Sequence, residues 1–279
     1  MTGDRRSSAS APSDSGSAYA QDRPAAGRSD GARQHSQPAF VLHSYPFKET
    51  SLVVELFTRD FGRVAVVAKG ARRPKSSLRG VLLAFQPVLV SWSGKGELYT
   101  LIRAEWHGAY QPLKGLPLIC GFYLNELLLK LLPRHDAHEG LFGTYARTLE
   151  ALDPECEPAG VLRGFEKELL RELGYAMTLD REVECGHPIA AEQRYTYLVE
   201  RGPVSAGDER QRNGVELLGQ TLLDMQSGDY SNAMTQQQSK ALMRSLINHY
   251  LGDQVLHTRQ LLRELQELQP AGARAGLST

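Results

Sequence analysis

Cysteine is scarce. Cys120, Cys156 and Cys185 are the only three among 279 residues, and no two stand at the close spacing of a disulfide framework. That usage fits a reducing compartment, so a cytoplasmic protein is expected. A charge excess is missing too, because 32 basic residues balance 32 acidic ones. The whole chain therefore points to neither a nucleic-acid nor a membrane partner, and any electrostatic function must come from a local patch. Long apolar runs are also absent. The best candidate, residues 116–132, is interrupted by Asn125, Glu126 and Lys130. It falls short of the ~18 apolar residues a bilayer span takes and reads as a buried helix, so no membrane partner is expected.

Catalytic signatures are missing as well. There is no Gly-x-Ser-x-Gly elbow, no Gly-x-x-x-x-Gly-Lys-[Ser/Thr] phosphate loop and no dinucleotide fingerprint. Cys185 and His187 make one poor metal pair with nothing to match it downstream, and zinc asks for about four ligands. His135-Asp136-Ala137-His138-Glu139 lacks the order that puts two imidazoles on one helix face and reads as a polar loop between helices. No clustered carboxylates suggest a two-metal nuclease. The expectation is a protein without catalytic residues, metal or cofactor.

Residues 1–37 are built from Ser, Ala, Gly, Arg and Asp with almost nothing large and apolar, a composition that cannot offset the entropy of ordering. They are expected to be a disordered tail, as are residues 271–279. The tail has no apolar segment for a signal peptide, and its spread of acids argues against a transit peptide.

From Phe40 to about Trp106 the pattern changes to short runs of Val, Leu, Phe and Tyr separated by turn chemistry. Strands are expected at 39–44, 51–58, 62–68, 85–91 and 97–105, with Pro87 weakening the fourth or placing it at an edge. Five short strands without a long helical pattern between them fit a small closed barrel. Beyond Leu116 the period becomes helical, with helices expected at 116–132, 140–152, 159–173, 213–225, 239–251 and 256–268. Gly174 is placed to cap the third. Between them, residues 176–205 form an irregular excursion of turns and a short strand pair around Arg194-Tyr195-Thr196-Tyr197. The expected architecture is α+β, with a β-barrel domain at 38–114 and a helical domain at 115–270.

One local patch breaks the charge balance. Arg63, Lys69, Arg72, Arg73, Lys75 and Arg79 lie between Gly62 and Gly80 with no acid among them. Gly70, Pro74 and Gly80 keep this segment from becoming a regular helix, while Ser76 and Ser77 add hydroxyl donors for phosphate oxygens. A basic loop on a small barrel suits single-stranded nucleic acid, whose backbone follows the cations while aromatic faces receive bases. The candidate platforms are Tyr45, Phe47, Phe57, Phe61 and Tyr99. A plain solvated loop and plain core aromatics are the competing readings.

In order along the chain, Ala39-Phe40-Val41-Leu42-His43-Ser44, Glu49-Thr50-Ser51-Leu52, Val67-Ala68-Lys69-Gly70-Ala71-Arg72 and Gly94-Lys95-Gly96-Glu97-Leu98, then Tyr123-Leu124-Asn125-Glu126-Leu127-Leu128, Leu162-Arg163-Gly164-Phe165-Glu166 and Tyr195-Thr196-Tyr197, carry a resemblance to the RecO family of bacterial recombination mediators. It implies an N-terminal five-stranded OB-fold followed by an α-helical domain, without enzymatic turnover. It also implies binding of single- and double-stranded DNA, strand annealing, association with RecR, and help in loading RecA onto DNA coated by single-strand-binding protein. By the same resemblance, the basic loop contacts DNA and Arg163 receives the acidic, Phe-terminated tail of single-strand-binding protein, with Tyr123 and Leu127 supplying the apolar part. Some relatives carry a four-cysteine zinc module where this chain retains only Cys185, so a small zinc-less, ribbon-like insertion packed around Tyr195 and Tyr197 is expected. The alternative is a protein-recruiting adaptor with a purely structural barrel.

Overall fold

The computed structural model describes residues 33–108, 110–152, 157–206 and 214–268. The expected tails lie outside these residues except for the stretch from Arg33 to Gln37. Strands β1 (Gln34–Phe47), β2 (Ser51–Thr58) and β3 (Gly62–Ala68) are followed by a single helical turn, α1 (Leu78–Val81), and then by β4 (Pro87–Ser93) and β5 (Leu98–Trp106). They close into a barrel in the order β1-β2-β3-β5-β4. Only β3 and β5 pair in parallel, from Ala65↔Leu98 to Val67↔Thr100. This is the closure of an OB-fold.

Binary patterning explains why the strands read as nearly continuous apolar runs. Ala39, Val41, Val54, Leu56, Val64, Val66, Val88, Val90 and Trp92 point inward and fill the barrel. Their neighbours Phe40, Leu42 and Phe57 point outward, yet are equally buried, because the helical body covers that face. A strand covered on both sides loses its polar alternation.

Four barrel expectations need correction. Gln34–Gln37, expected in the tail, belong to β1: Gln34 and Gln37 pair with Trp92 and Val90 of β4. Ladder bonds are made by the backbone, so polar side chains do not prevent them. The fourth strand starts at Pro87 and not at residue 85, because Phe85 takes φ +66 and turns its ring against Phe122. Pro87 marks no edge, since the barrel has none; it opens the strand and its carbonyl accepts from the His107 amide at 2.9 Å. In the basic segment, Arg79 and Gly80 lie within the α1 turn, so the loop is partly helical.

The helical body comprises α2 (Gly115–Leu131), α3 (Glu139–Ala151) and α4 (Ala159–Glu172), then strands β6 (Arg194–Leu198), β7 (Gly202–Ser205) and β8 (Val215–Leu218), and finally α5 (Gly219–Ser227), α6 (Ala233–Leu251) and α7 (His257–Leu268). The apolar α2 runs through its centre, with Leu124, Leu127 and Leu128 fully buried among α3, α4 and barrel residues. Helix α4 ends as expected from Gly174, which takes φ +86 and donates to the Arg171 carbonyl while Tyr175 donates to that of Leu170. That pair of bonds is a Schellman motif.

The expected strand pair is a three-stranded antiparallel sheet, order β7-β6-β8. Its third strand comes from the front of the helix expected at 213–225. Leu217 faces the core while Glu216 stays exposed, a period of two that the adjoining helical pattern hides. Helix α5 begins only at Gly219, where a Cβ would come within 2.0 Å of the Ala190 carbonyl oxygen, so glycine is required there. Helix α6 starts earlier than expected because Asn232 caps it, accepting from the Met234 amide at 2.8 Å. Tyr195 and Tyr197 are buried in the core that joins this sheet to α5 and α6. Among the described residues, no helix is long and apolar enough to cross a membrane.

Candidate nucleic-acid interface

The basic segment leaves β3 at Ala68 and folds as consecutive turns, with Arg73 donating to the Gly70 carbonyl and Ser76 to that of Arg73, each at 3.0 Å. Arg72 ties these turns to the β1–β2 hairpin. Its amide donates to the Thr50 carbonyl at 2.9 Å and its guanidinium to that of Glu49 at 3.2 Å. Lys69, Arg73, Lys75 and Arg79 are exposed, and among the described residues none of them pairs with an acid or spends its side chain on a hydrogen bond. Unpaired cations on one short loop leave a positive potential facing solvent.

Arg63 is set apart from that group. It lies on β3, its guanidinium donating to the Leu128 carbonyl at 3.4 Å and also to that of Leu129, at the C-terminal end of α2. The carbonyls of a helix's last turn and the helix dipole both favour a cation there. Glu55 lies 4.0 Å from the Arg63 Nε and pairs with Arg134. Burial draws the Arg63 pKa down against the pull of Glu55. Its charge fastens barrel to helix and does not face solvent with the loop.

The five candidate aromatics also separate. Phe57 is fully buried. Phe61 and Tyr99 pack on Trp92 inside the barrel wall, with ring centroids at 5.4 and 6.3 Å. Tyr45 is 43% exposed. Phe47 is half-buried, with the Lys48 ammonium 5.5 Å above its ring. Tyr45 and Phe47 both belong to the hairpin that Arg72 joins to the loop. Lys48 is thus an exposed cation on the same hairpin that the sequence did not single out, since one lysine beside a glutamate carries no signal until the hairpin is placed.

On the helical body, Arg163, Tyr123 and Leu127 do not line an open slot. Leu127 is fully buried, and Arg163 lies against the inaccessible Glu166, its Nη2 donating at 2.7 Å to Oε1. The Tyr123 hydroxyl donates to that same oxygen at 2.6 Å and accepts from Arg259 at 3.1 Å. Arg259 also donates to Asn248 at 2.8 Å, with its guanidinium 5.5 Å from the Tyr123 ring centroid. Burial raises the Glu166 pKa, opposed by Arg163, the Tyr123 hydrogen bond and Arg259. The Cys120 thiol nearby is pushed up to about 11, chiefly by burial.

This chain of contacts surfaces in a cleft of about 520 Å³, lined among others by Arg244, Asn248, Val255, Leu256 and Arg259. Arg259 and the cleft were illegible in the sequence, because Tyr123 and Arg259 are 136 positions apart. Among the described residues, no group of three His, Cys, Asp or Glu side chains is arranged to hold a metal ion. Cys185 is exposed, its thiol donating to Glu182 at 3.1 Å.

Barrel, loop and helical body together define a class: an OB-barrel protein continuous with an α-helical half, cationic at a barrel loop. Residues 33–110 match the family described as Recombination protein O N terminal, and residues 115–261 match Recombination protein O C terminal. The chain is 57% identical over 239 residues to a DNA repair protein RecO of Nitrosospira multiformis, covering 86% of this chain and 99% of that one. It is 58% identical over 237 residues to the DNA repair protein RecO of Aromatoleum aromaticum, covering 85% and 98%. The chain belongs to the RecO family of DNA repair proteins.

Proposed function

We propose that this chain is a non-catalytic mediator of DNA repair and homologous recombination. It binds single- and double-stranded DNA, anneals complementary strands, and with RecR helps load RecA onto DNA coated by single-strand-binding protein. The observation that carries the reading is the set of unpaired cations Lys69, Arg73, Lys75 and Arg79 on an OB barrel, beside the exposed Tyr45 ring. Cations neutralise phosphates and release their counterions, and this lowers the repulsion between two strands brought together to pair. Tyr45 and Phe47 offer faces on which unpaired bases stack. In this reading Arg72 positions the loop, and Arg63 holds the barrel to α2.

The acidic tail of single-strand-binding protein is met on the helical body. Arg259 and Arg244 supply guanidinium groups for its carboxylates, and Val255 and Leu256 supply apolar surface for its terminal ring. Tyr123 holds Arg259 from behind and is itself held by Glu166, which pairs with Arg163. The cleft also favours a second reading, an adaptor that recruits proteins while its barrel is structural.

Replacing the four loop cations by alanine separates the two readings. Mediation predicts loss of annealing with tail-peptide binding intact. Wild-type protein that binds the tail peptide but anneals nothing would leave the adaptor, and annealing by the variant at the wild-type rate would remove the loop from the role.

A further inference from the structure

The helical body contains a second pocket, which the proposed function leaves unused. It measures about 330 Å³ and lies where the segment after α4, the β6–β7 turn and the end of α6 meet. Its walls include Tyr175, Tyr197, Tyr250, Met177, Glu200 and Arg201. Tyr175 and Tyr250 are stacked, with ring centroids 3.8 Å apart and planes inclined by 16°. Tyr250 is half-buried, but Tyr175 is 45% exposed. One ring is thus braced from behind and open in front.

The rim is polar. Glu200 sits at the β6–β7 turn with φ +64, a left-handed conformation that a non-glycine residue adopts at a cost. Its Oε1 lies 3.1 Å from His249 Nε2, which leaves Oε2 free to accept another donor. Among the described residues Arg201 pairs only with Glu184, at 3.1 Å, and both side chains are more than half exposed. Such a pair contributes little and yields readily to a ligand.

We propose that this pocket takes one unpaired nucleobase of single-stranded DNA, stacked on Tyr175, with Glu200 accepting from the base's exocyclic amino group. A cage for an organic cation presents ring faces from several sides, whereas here two rings are piled in parallel and offer a single open face. A phenyl ring would stack equally well but would leave the carboxylate and guanidinium of the rim unused. A base edge, carrying donors and acceptors in one plane, engages both. Adenine, cytosine and guanine carry an exocyclic amine and thymine does not, so the pocket discriminates against thymine. The proposal rests on the chain meeting single-stranded DNA, as inferred above, but not on which barrel residues hold it.

The test uses the full-length protein and short oligonucleotides containing 2-aminopurine, at salt high enough to suppress phosphate contacts. Wild-type protein should quench the probe, and so should the variant lacking the four loop cations. Tyr175→Leu should weaken this binding at least about fivefold, since stacking on an aromatic ring carries that much affinity per base. Tyr175→Phe should retain it, which excludes a fold defect as the cause. Glu200→Gly, compatible with the local backbone, should erase the preference for oligo-dA over oligo-dT. Quenching by Tyr175→Leu equal to wild type, or no preference for oligo-dA in the wild type, overturns the inference while leaving the loop reading intact. Absence of DNA binding by the wild type even at low salt overturns both.

Discussion

The arginines divide by burial. Arg73 and Arg79 end in solvent, whereas Arg163 ends against a carboxylate that water does not reach. Truncating one partner of a buried pair leaves the other charge uncompensated, at a cost of about 3–5 kcal/mol. Glu166→Ala should therefore lower stability by that order, read as a shift of the urea midpoint, whereas an unchanged midpoint would mean that Arg163 is solvated and the contact incidental. Loop substitutions should behave in the opposite way. Among the described residues, Lys69, Arg73, Lys75 and Arg79 make no side-chain hydrogen bond or ion pair, so alanine at all four should leave the midpoint nearly unmoved, within about 0.5 kcal/mol per site. The cationic run was legible because charge without counter-charge is visible in any sequence. What was not legible is which cations are spent inside. Arg63 reads like its neighbours until α2 brings its terminal carbonyls alongside, and Arg163 reads like an open anion receptor until Glu166, one helical turn on, is seen to be inaccessible.

Among the elements, α7 begins on a carboxylate supplied by another helix. Glu126 of α2 accepts from the His257 amide at 2.8 Å and from the Thr258 amide at 2.9 Å, and pairs with Lys130 at 3.1 Å. Burial opposes its charge, but the hydroxyl and amide of Thr258, the amide of His257 and Lys130 outweigh it and hold its pKa below the ordinary value. A carboxylate so held contributes stability above its unfolded-state pKa and loses it as pH falls through the lower folded one. Amide exchange in α7, taken relative to the intrinsic rate at each pH, should thus accelerate as pH drops below about 4, the ordinary glutamate range. Glu126→Gln should abolish that acceleration by loosening α7 at every pH. Equal exchange in wild type and variant across the range would remove Glu126 from the role. Most elements were readable because their periods are clean over their whole length. The failures are physical: β8 spans Val215–Leu218, too short for a period of two to stand out ahead of α5, and the polar start of β1 is held by backbone pairing to β4.

Across the whole molecule, the barrel is not an appendage. Phe40 and Phe57 leave the barrel wall to meet Phe142 at 5.3 and 5.4 Å between ring centroids, and the buried Asn125 donates to the Leu42 carbonyl at 2.9 Å. Residues 33–110 and 115–261 match separate family descriptions, yet one hydrophobic cluster contains side chains from both. A shared core couples unfolding, so circular dichroism and tryptophan fluorescence from Trp92 and Trp106 in the barrel should report one coincident denaturation transition. Two separated transitions would show that the halves fold alone.

The central claim is that the barrel loop holds DNA by its phosphates. The most direct test is the salt dependence of single-stranded DNA affinity, measured for the wild type and for the variant with Lys69, Arg73, Lys75 and Arg79 all changed to alanine. Each phosphate neutralised on a single strand adds about 0.7 to the slope of log affinity against log salt, so the variant should bind more weakly and its slope should flatten by about 3. A variant with wild-type affinity and an unchanged slope would contradict the account.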